Sequence, residues 1–399
     1  MSIPGTEGPR LAVIVDQFFD GDRLYRERRT LRVIEGRIDS VTPGDHTDAL
    51  AAEGWTIERG GFLMPGMVDA HVHLFLDGAC TDSAQRAAHL KRPVEQLTEG
   101  ARVHAREARA WGVTLLRDAG DRHGINHQIR REAAPAGSGM ARVRSVGRGI
   151  RRAHGYGAFM AADAGDGVAL PTLVEQLARS NDEIKLVLTG IVDFEAGDAA
   201  DAPQFTHTEA ALVVQAAHRC GRKVMAHCSG PRGLDIALAA GVDSVEHGYF
   251  VDRAMLSRMR DHDVAWTPTF CPVHFQWAHP GVARWPAATV DSMRRALDAH
   301  AEHLRVACEL GVRVLVGTDA GCMGVQHGRS VLEEMWHFLD AGMPLEAVLR
   351  AATGTPRRHF GAAHSRLVPG APFEAALFQA PPFADARGLN RPHRVWVGP

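Results

Sequence analysis

The chain has 399 residues, of which 45% are hydrophobic and 23% are charged, and its formal net charge is −2. This composition is that of an ordinary globular protein, and the length allows one large barrel domain with a small accessory domain. A net charge so close to zero excludes a general attraction to nucleic acid or to an anionic membrane surface.

The six cysteines are scattered along the chain without paired spacing. Such usage favours a reducing compartment over a disulfide framework. The first ten residues contain no apolar signal core, and no run is long and apolar enough to span a bilayer. We therefore expect a cytoplasmic protein without a nucleic-acid or membrane partner; a homo-oligomer is left open.

The segment before residue 64 is predicted to be a small β unit. An apolar run at 11–16 is typical of a strand, and the runs at 31–34 and 37–41 flank a Glu35-Gly36 turn that is typical of a hairpin. Further short strands are expected at 55–58 and 62–64. The Pro65-Gly66 pair marks the end of this unit.

From Val68 onward, strand-like runs alternate with segments of helical periodicity. Eight β–α units of this kind predict an α/β fold, a closed (β/α)8 TIM-type barrel with its active site at the C-terminal ends of the strands. The alternation alone leaves a doubly wound open sheet as a competitor. The predicted barrel strands lie at 68–74, 113–116, 143–146, 184–188, 224–227, 244–247, 265–268 and 312–316.

A last strand-like run, 373–378, follows two predicted helices at 331–339 and 345–352. We expect it to return to the N-terminal β unit. The predicted organisation is a barrel of residues 64–362 and a small β-sandwich-like domain that both chain ends form, residues 1–63 and 363–399.

Two histidines, His71 and His73, end the first predicted barrel strand. Because side chains alternate along a strand, both imidazoles point to the same side. Two imidazoles at one strand end can form half of a metal site if further ligands converge on them. Taken alone, the motif is equally well explained by two histidines in a half-buried strand.

Four more polar residues lie on the later predicted strands: Lys185, His227, His247 and Asp319. Singly, each has an ordinary explanation, such as a lysine that reaches solvent or an aspartate that caps a helix. Their shared position at strand ends favours one site, because a parallel barrel brings these ends together. Such a set can hold two cations only if the lysine becomes anionic, as it does when carbon dioxide converts it to a carbamate.

In combination and order, these motifs resemble the amidohydrolase superfamily, and most closely its branch of imidazolonepropionase-related and prolidase-like enzymes. The resemblance covers about residues 11–378 and is highly specific as a set. The motifs that carry it are PGMVDAHVH at 65–73, IK at 184–185, GRKVMAH at 221–227, GVDSVEHG at 241–248 and GTDAG at 317–321.

The resemblance implies a binuclear centre of two divalent ions, expected to be zinc. It implies that the more buried ion is bound by His71, His73 and Asp319, and that the second is bound by His227 and His247. Carbamylated Lys185 would bridge the ions. The implied nucleophile is a hydroxide between the ions, and Asp319 would pass its proton to the leaving amine.

The function that follows is metal-dependent hydrolysis of an amide-type C–N bond in a small molecule, such as an N-acyl amino acid, dipeptide, cyclic amide or anilide. A deaminase of a heterocyclic or aromatic amine is the first alternative. Many such deaminases carry a glutamate shortly after the fifth-strand histidine, where this chain has Cys228-Ser229. An ester or lactone hydrolase and a non-catalytic relative stay open as well.

Four residues are predicted to contact substrate. His154 matches the histidine of a His-Gly segment in prolidase-like relatives and would hydrogen-bond the carbonyl or the oxyanion, although a solvated loop histidine is a strong competitor. Arg152 is predicted to anchor a carboxylate, with a solvated surface arginine as the competing interpretation. Ser229 replaces the larger His or Tyr of relatives, and His327 lies near the predicted mouth.

The loop at 271–286 is rich in aromatic residues and is predicted to form either a wall for an apolar substrate group or a loop packed on itself. Cys228 and Cys322 neighbour predicted ligands in sequence. We interpret both as bystanders, because the ligand set is complete without thiolates.

Overall fold

The computed structural model describes residues 9–135, 137–164, 169–362, 366–383 and 390–398. The two predicted domain boundaries at 1 and 363 lie outside these ranges. The strands, in chain order, are β1 Arg10–Phe19, β2 Leu24–Tyr25, β3 Arg29–Ile34, β4 Arg37–Pro43, β5 Thr56–Pro65, β6 Met67–Val72, β7 Val113–Asp118, β8 Arg142–Ser145, β9 Gly149–Arg152, β10 Ala161–Ala164, β11 Ile184–Val187, β12 Val192–Asp193, β13 Asp198–Ala199, β14 Val224–Cys228, β15 Ser244–His247, β16 Ala265–Thr267, β17 Ala375–Phe378 and β18 Arg394–Trp396.

Helices alternate with the parallel strands, which gives the mixed α/β architecture that the sequence predicts. Among the residues described, no helix combines the length and the apolar character needed to cross a bilayer. The helices are α1 Thr47–Ala52, α2 Ser83–His89, α3 Val94–Ala110, α4 Ile125–Ala133, α5 Leu170–Ala178, α6 His207–Arg219, α7 Pro231–Ala240, α8 Arg253–Asp261, α9 Phe270–Ala278, α10 Pro280–Ala283, α11 Ala287–Leu310, α12 Arg329–Asp340, α13 Leu345–Ala351 and α14 Gly354–His359.

Strands from both ends of the chain share one seven-stranded sheet, in which β17 pairs with β5. This confirms the predicted return of the C-terminal strand. The predicted hairpin of β3 and β4 is also confirmed, and its turn residues Glu35 and Gly36 have φ angles of 51° and 72°. Such left-handed turn conformations match the twist of hairpin strands.

The short strands predicted at 55–58 and 62–64 are confirmed as strand, but they form a single strand, because β5 runs without interruption through Gly60 and Gly61. In the sequence, the two glycines suggest a break between two strands. In the structure, they allow residues 377–380 to pack closely against β5. A Cβ at Gly60 would lie 2.6 Å from a methyl of Leu377 and 2.8 Å from the carbonyl oxygen of Phe378 on the paired strand.

The parallel strands form two sheets, one of β6, β7 and β8 and another in the order β10-β9-β11-β14-β15-β16. Seven of the eight predicted barrel runs coincide with strands in these sheets. The third run coincides with β8, and a strand that was not predicted, β9, follows it and pairs with β11. His71, His227 and His247 lie at or near the carboxyl ends of β6, β14 and β15, His73 directly follows β6, and Lys185 is the second residue of β11.

The eighth predicted strand, 312–316, is wrong as a regular strand and makes a single bridge, between Val314 and Trp266. The segment 313–320 instead joins the two parallel sheets through individual backbone bonds. Trp266 N–H donates to the Arg313 carbonyl at 2.8 Å on the β16 side, and Asp319 N–H donates to the His71 carbonyl at 2.8 Å on the β6 side. Asp319 is thereby fixed beside His71.

The predicted loop at 271–286 is wrong over most of its length, because α9 and α10 occupy it. Helix α9 buries Phe270, Cys271 and Val273 against the core, and this burial favours a helix over a loop. Glu334 of α12 accepts hydrogen bonds from the N–H groups of Phe270 and Cys271 and so satisfies the first turn of α9.

Candidate metal centre

Three of the predicted ligands form a compact buried triad. His71 and His73 each present Nε2 at 3.7 Å from Oδ1 of Asp319. One ligand atom from each of the three lies within 4.8 Å of the others, a spacing that can hold a metal ion. For comparison, two ligand atoms about 2.05 Å from one tetrahedral ion are roughly 3.3 Å apart.

A second pair of histidines adjoins this triad. Nε2 of His247 lies 2.9 Å from Nδ1 of His227, and the His247 ring centroid is 5.0 Å from that of His71. Two imidazole nitrogens at this distance share one proton, or both donate lone pairs to one ion. The structure therefore brings four predicted histidines and Asp319 into a single cluster.

The outward-facing nitrogens of these histidines are all engaged. Nδ1 of His71 donates to Oε2 of Glu246 at 2.8 Å, and Nδ1 of His73 donates to the Gly120 carbonyl at 2.9 Å. Because these partners only accept, the ring proton resides on Nδ1, and Nε2 offers its lone pair to the cluster. Second partners of this type fix the orientation of metal-binding histidines.

The second pair follows the same rule. Nε2 of His227 donates to the Gly190 carbonyl at 3.4 Å, which leaves Nδ1 for the cluster. Nδ1 of His247 contacts Oγ1 of Thr269 at 2.8 Å, which leaves Nε2. A hydroxyl can donate or accept, so His247 can adopt the tautomer that a ligand requires.

Burial keeps these imidazoles neutral. It lowers the pKa of His227 to about 3, with the charge of Lys185 adding to the effect. The pKa values of His71 and His247 lie well below the ordinary value for the same primary reason. A neutral imidazole is the form that binds a metal ion.

Lys185 lies inside the protein with its side chain fully buried, and within the described part of the chain Nζ has no hydrogen-bond partner. Burial lowers the pKa of Lys185 to about 8. Its charge contributes to the lowered pKa values of His71, His73 and His227, with burial as the main cause. The lysine stem packs on Gly149, where a Cβ would lie 3.0 Å from Cγ.

A buried charge network behind His71 was not anticipated from the sequence. Glu246 accepts from His71 with one oxygen and from Nη2 of Arg117 with the other, at 2.7 Å. Arg117 also pairs with Glu183 at 3.1 Å. The sequence does not indicate that Glu246 contacts His71, because Glu246 directly precedes His247 and adjacent strand residues normally face opposite sides.

Left-handed backbone at three residues of the site overrides that alternation. His247, Thr269 and Asp319 have φ angles of 68°, 54° and 58°. Such conformations cost on the order of 1–3 kcal/mol each in residues other than glycine and persist where the surroundings enforce them. At His247 the turn lets its ring and the neighbouring Glu246 carboxylate both reach His71.

Three further side chains border the cluster. The Cys322 thiol donates to Oδ2 of Asp319 at 3.2 Å, so this cysteine has a contact that our bystander interpretation did not include. The Tyr156 ring lies 5.2 Å from the His227 ring, and the Phe159 ring lies 6.0 Å from the His73 ring. Burial raises the pKa of Tyr156, so its hydroxyl remains protonated.

The structure does not join His154 and Arg152 to this cluster. His154 is exposed in the turn after β9, with a φ of 64°. The guanidinium of Arg152 pairs with Glu209 of α6 at 2.6 Å and lies over the Phe205 ring. Both substrate contacts stay predictions. The ion pair with Glu209 occupies the guanidinium of Arg152, so it does not favour the predicted contact of Arg152 with a substrate carboxylate.

Ser229 and His327 are buried close to the ligands. The Ser229 N–H donates to Oγ1 of Thr189 at 3.1 Å, directly after β14. His327 donates from Nε2 to the carbonyl of His73 at 3.2 Å and stacks on His104, with ring centroids 4.3 Å apart. His327 therefore supports the backbone of a ligand from behind, and its substrate contact stays a prediction.

Two cavities lie at this end of the parallel strands. One, of about 370 Å³, is bordered by Tyr156, Phe159 and Cys322 and so adjoins the cluster. The other, of about 410 Å³, lies between α9 and α12 and is lined by aromatic residues that include Phe275. It shares no lining residue with the cluster, so the predicted aromatic segment borders a separate cavity.

Comparison with known proteins agrees with this geometry. The model of the amidohydrolase family matches residues 62–398. The chain belongs to the amidohydrolase family, as its motifs predict. Membership confirms the predicted class, a hydrolase that acts on carbon–nitrogen bonds of small molecules.

Individual relatives are distant. An uncharacterized protein of Mycobacterium tuberculosis is 29% identical over 338 residues, which are 83% of this chain and 81% of the relative. Ochratoxinase of Aspergillus niger is 24% identical over 317 residues, 74% of this chain and 65% of that protein. Its crystal structure superposes with a TM-score of 0.79 at 20% identity, over 98% of this chain and 94% of that one. A Xaa-Pro dipeptidase with bound methionine gives a TM-score of 0.77 at 22% identity, over 94% and 95%.

Proposed function

We propose that this chain is an amide hydrolase that uses two divalent metal ions, zinc by preference. The observation that carries the proposal is that two buried polar atoms, Nε2 of His71 and Nζ of Lys185, have no hydrogen-bond partner among the described residues. Orphaned buried polar atoms are costly, and both belong to the predicted ligand set. The residues therefore fit the ions that the family implies.

We assign the ligands to the two ions as the sequence motifs suggest. His71, His73 and Asp319 would hold one ion, and His227 and His247 the other. Imidazole nitrogen and carboxylate oxygen are ligands that suit zinc. The engaged outer nitrogens support this division, because each histidine already directs its lone pair inward.

Lys185 would join the two halves as a carbamate. An ammonium among metal ions is unfavourable, whereas burial lowers the pKa of Lys185 to about 8, so part of the population is a neutral amine near neutral pH. A neutral amine adds carbon dioxide to form a carbamate and releases one proton. The negative charge of the carbamate would offset part of the positive charge of the ions. Nζ would then belong to a ligand group instead of being a buried, unpaired donor.

When bound, divalent ions lower the pKa of water to near 7 and polarise a carbonyl oxygen. The protein would supply the proton transfer. In the hydrolysis of an amide, water adds to the carbonyl carbon, the C–N bond breaks, and the amine leaves with one added proton. Asp319 would take that proton from the water and deliver it to the leaving nitrogen, and the Cys322 thiol at Oδ2 keeps the carboxylate oriented.

We also propose that the parallel strands close into an eight-stranded barrel over residues 64–362. Support comes from backbone bonds at both gaps between the sheets. Asp182 N–H donates to the Ser145 carbonyl at 2.9 Å, and segment 313–320 connects β16 with β6. The seven-stranded sheet would then be the small domain of residues 1–63 and 363–399, with its own apolar cluster around Val13, Leu31 and Leu377.

The bond cleaved would be a C–N bond of the amide type. A dipeptidase and an ochratoxinase among the relatives support small substrates of this kind. The cavity of about 370 Å³ beside the cluster is at the lower end of the range of about 300–1,000 Å³ for small-molecule sites. Such a volume suits a molecule of the size of an N-acyl amino acid.

The test is reconstitution of the metal-free enzyme. Zinc with bicarbonate should restore amidase activity and bind near two ions per chain, and ¹³C-labelled bicarbonate should give a carbamate resonance. Replacing Lys185 with Ala should remove the resonance and most of the activity, and short carboxylic acids should restore part of it. Lys91→Ala, at an exposed lysine, is the matched control. Full activity of the Lys185 variant would refute the bridging role.

A further inference from the structure

The cavity beside the metal cluster has mostly apolar walls. Leu76 and Leu90 line it from the segment after β6, and Tyr156 and Phe159 line it from the segment after β9. The two aromatic rings also touch the rings of His227 and His73. A group held between these walls therefore lies next to the reacting centre.

One guanidinium, that of Arg86, enters this apolar surrounding. Its Nη1 donates to the carbonyls of Asp77 and Cys80 at 2.7 and 3.0 Å, and its Nη2 donates to the carbonyl of Gly321 at 2.8 Å. These bonds tie α2 to the segment that follows Asp319. The guanidinium is thus held rigidly at the cavity, and its partner Gly321 lies two residues after the predicted ligand Asp319.

The partners of Arg86 are neutral. Among the described residues, no carboxylate lies within ion-pair distance of its guanidinium, and no protein acceptor is recorded for Nε–H or for one N–H of Nη2. By contrast, the buried guanidinium of Arg117 pairs with two carboxylates. Asp77 lines the same cavity, and its negative charge offsets part of the positive charge of Arg86. Its carboxylate, however, accepts a hydrogen bond from the Ala79 N–H.

We propose that Arg86 binds a carboxylate of the substrate, and that the enzyme acts on amides that carry a carboxylate beside an apolar or aromatic group. The inference rests on the proposed hydrolase function and names the substrate class for it. Two unused N–H donors on a rigid guanidinium match a carboxylate, and a preorganised partner loses little entropy on binding. The leucine and aromatic walls accept the apolar group.

A matched pair of substrates tests this specificity. N-Acetyl-L-phenylalanine carries the carboxylate, and N-acetyl-phenethylamine is the same amide without it. We expect kcat/KM to be about 10- to 100-fold higher for the acid, as is typical of a hydrogen bond to a charged group. Arg86→Gln should remove this preference through KM of the acid, and Arg86→Lys, which keeps the charge, should retain part of it.

The design separates recognition from a purely structural role of Arg86. If the arginine only ties α2 to the 319–325 segment, Arg86→Gln lowers kcat/KM of both amides by the same factor, and the proposal is overturned. Arg92→Gln, at an exposed arginine just after α2, should change neither. Equal rates of the two amides with the unmodified enzyme would overturn it without any variant.

A binding measurement keeps this inference distinct from the proposed function. The metal-loaded enzyme and its Arg86→Gln variant are titrated with N-acetyl-L-phenylalanine in a calorimeter. Tighter binding by the unmodified enzyme supports the anion site even if no amide is hydrolysed, an outcome that would remove the proposed hydrolysis alone. Equal binding by both proteins would overturn the anion site while leaving hydrolysis to its own test.

Discussion

Glu246 provides the sharpest test of how the cluster is organised, because its carboxylate serves three partners. One oxygen accepts from Nδ1 of His71 at 2.8 Å, and the other accepts from Arg117 at 2.7 Å and from Oγ of Ser244 at 2.6 Å. Glu246→Gln keeps the shape and removes the charge. The NH₂ group of the amide then faces either His71 or the pair Arg117 and Ser244. Because His71 and Arg117 both donate, at least one contact is lost in either orientation.

Two separate magnitudes follow from this loss. Replacing the residue that orients a metal-binding histidine typically weakens metal binding by about 10- to 100-fold, or about 1.4–2.7 kcal/mol. Breaking one partner of a buried ion pair costs about 3–5 kcal/mol of stability. Here the loss should fall at the lower end of that range, since Glu183 still neutralises Arg117.

Glu183→Gln is the matched control, because Glu183 pairs with Arg117 and Arg144 but does not contact His71. Denaturant unfolding of the metal-free proteins should show a comparable loss of stability in both variants. Zinc affinity, measured by competition with a chelator, should fall only in Glu246→Gln. Equal zinc affinities of the two variants would refute the assignment of Glu246 as the residue that orients His71.

The remaining predictions concern the reaction and its surroundings. Asp319→Asn should keep the fold and lower kcat by about 10²–10⁴-fold in steady-state assays, and an active variant would exclude Asp319 as proton carrier. Activation of the metal-free enzyme at constant dissolved carbon dioxide should increase as the pH rises through about 8, because only the neutral amine of Lys185 reacts; a flat profile from pH 6 to 9 would contradict this. Gly149→Ala should reduce both the carbamate signal and activity, since its Cβ would lie 3.0 Å from Cγ of Lys185, and unchanged activation would contradict this packing. Tyr156→Phe should lower kcat/KM more than His154→Ala, because Tyr156 borders the cluster and His154 is exposed; the opposite order in kinetic assays would restore His154.

The order of strands could be predicted because period-two apolar runs separated by helical periodicity leave few arrangements. The differences between the predicted and the observed strands have local causes. Gly60 and Gly61 suggest a turn, yet they lie in β5, where β17 approaches too closely for a side chain. The run at 312–316 has the composition of a strand, but its hydrogen bonds go to two different sheets, a property that depends on neighbours distant in sequence.

The grouping of the four histidines with Asp319 could be predicted because these residues recur at or after strand ends, and such ends converge in a parallel sheet. The residues that orient the ligands could not. Glu246 and Thr269 act through single contacts, with His71 and with His247, and no motif marks either contact. Tyr156 lies two residues beyond the histidine that the sequence favoured, a shift that depends on the course of the loop after β9.

The orientation of the ligands explains why the strain at this site is tolerated. Left-handed backbone at His247, Thr269 and Asp319 costs stability, and the buried Lys185 amine has no partner to offset its desolvation. In each case the cost is borne by a residue whose side chain faces the cluster or directly supports it. Binding of the proposed ions would recover part of this cost, because a ligand that binds only the folded state stabilises that state.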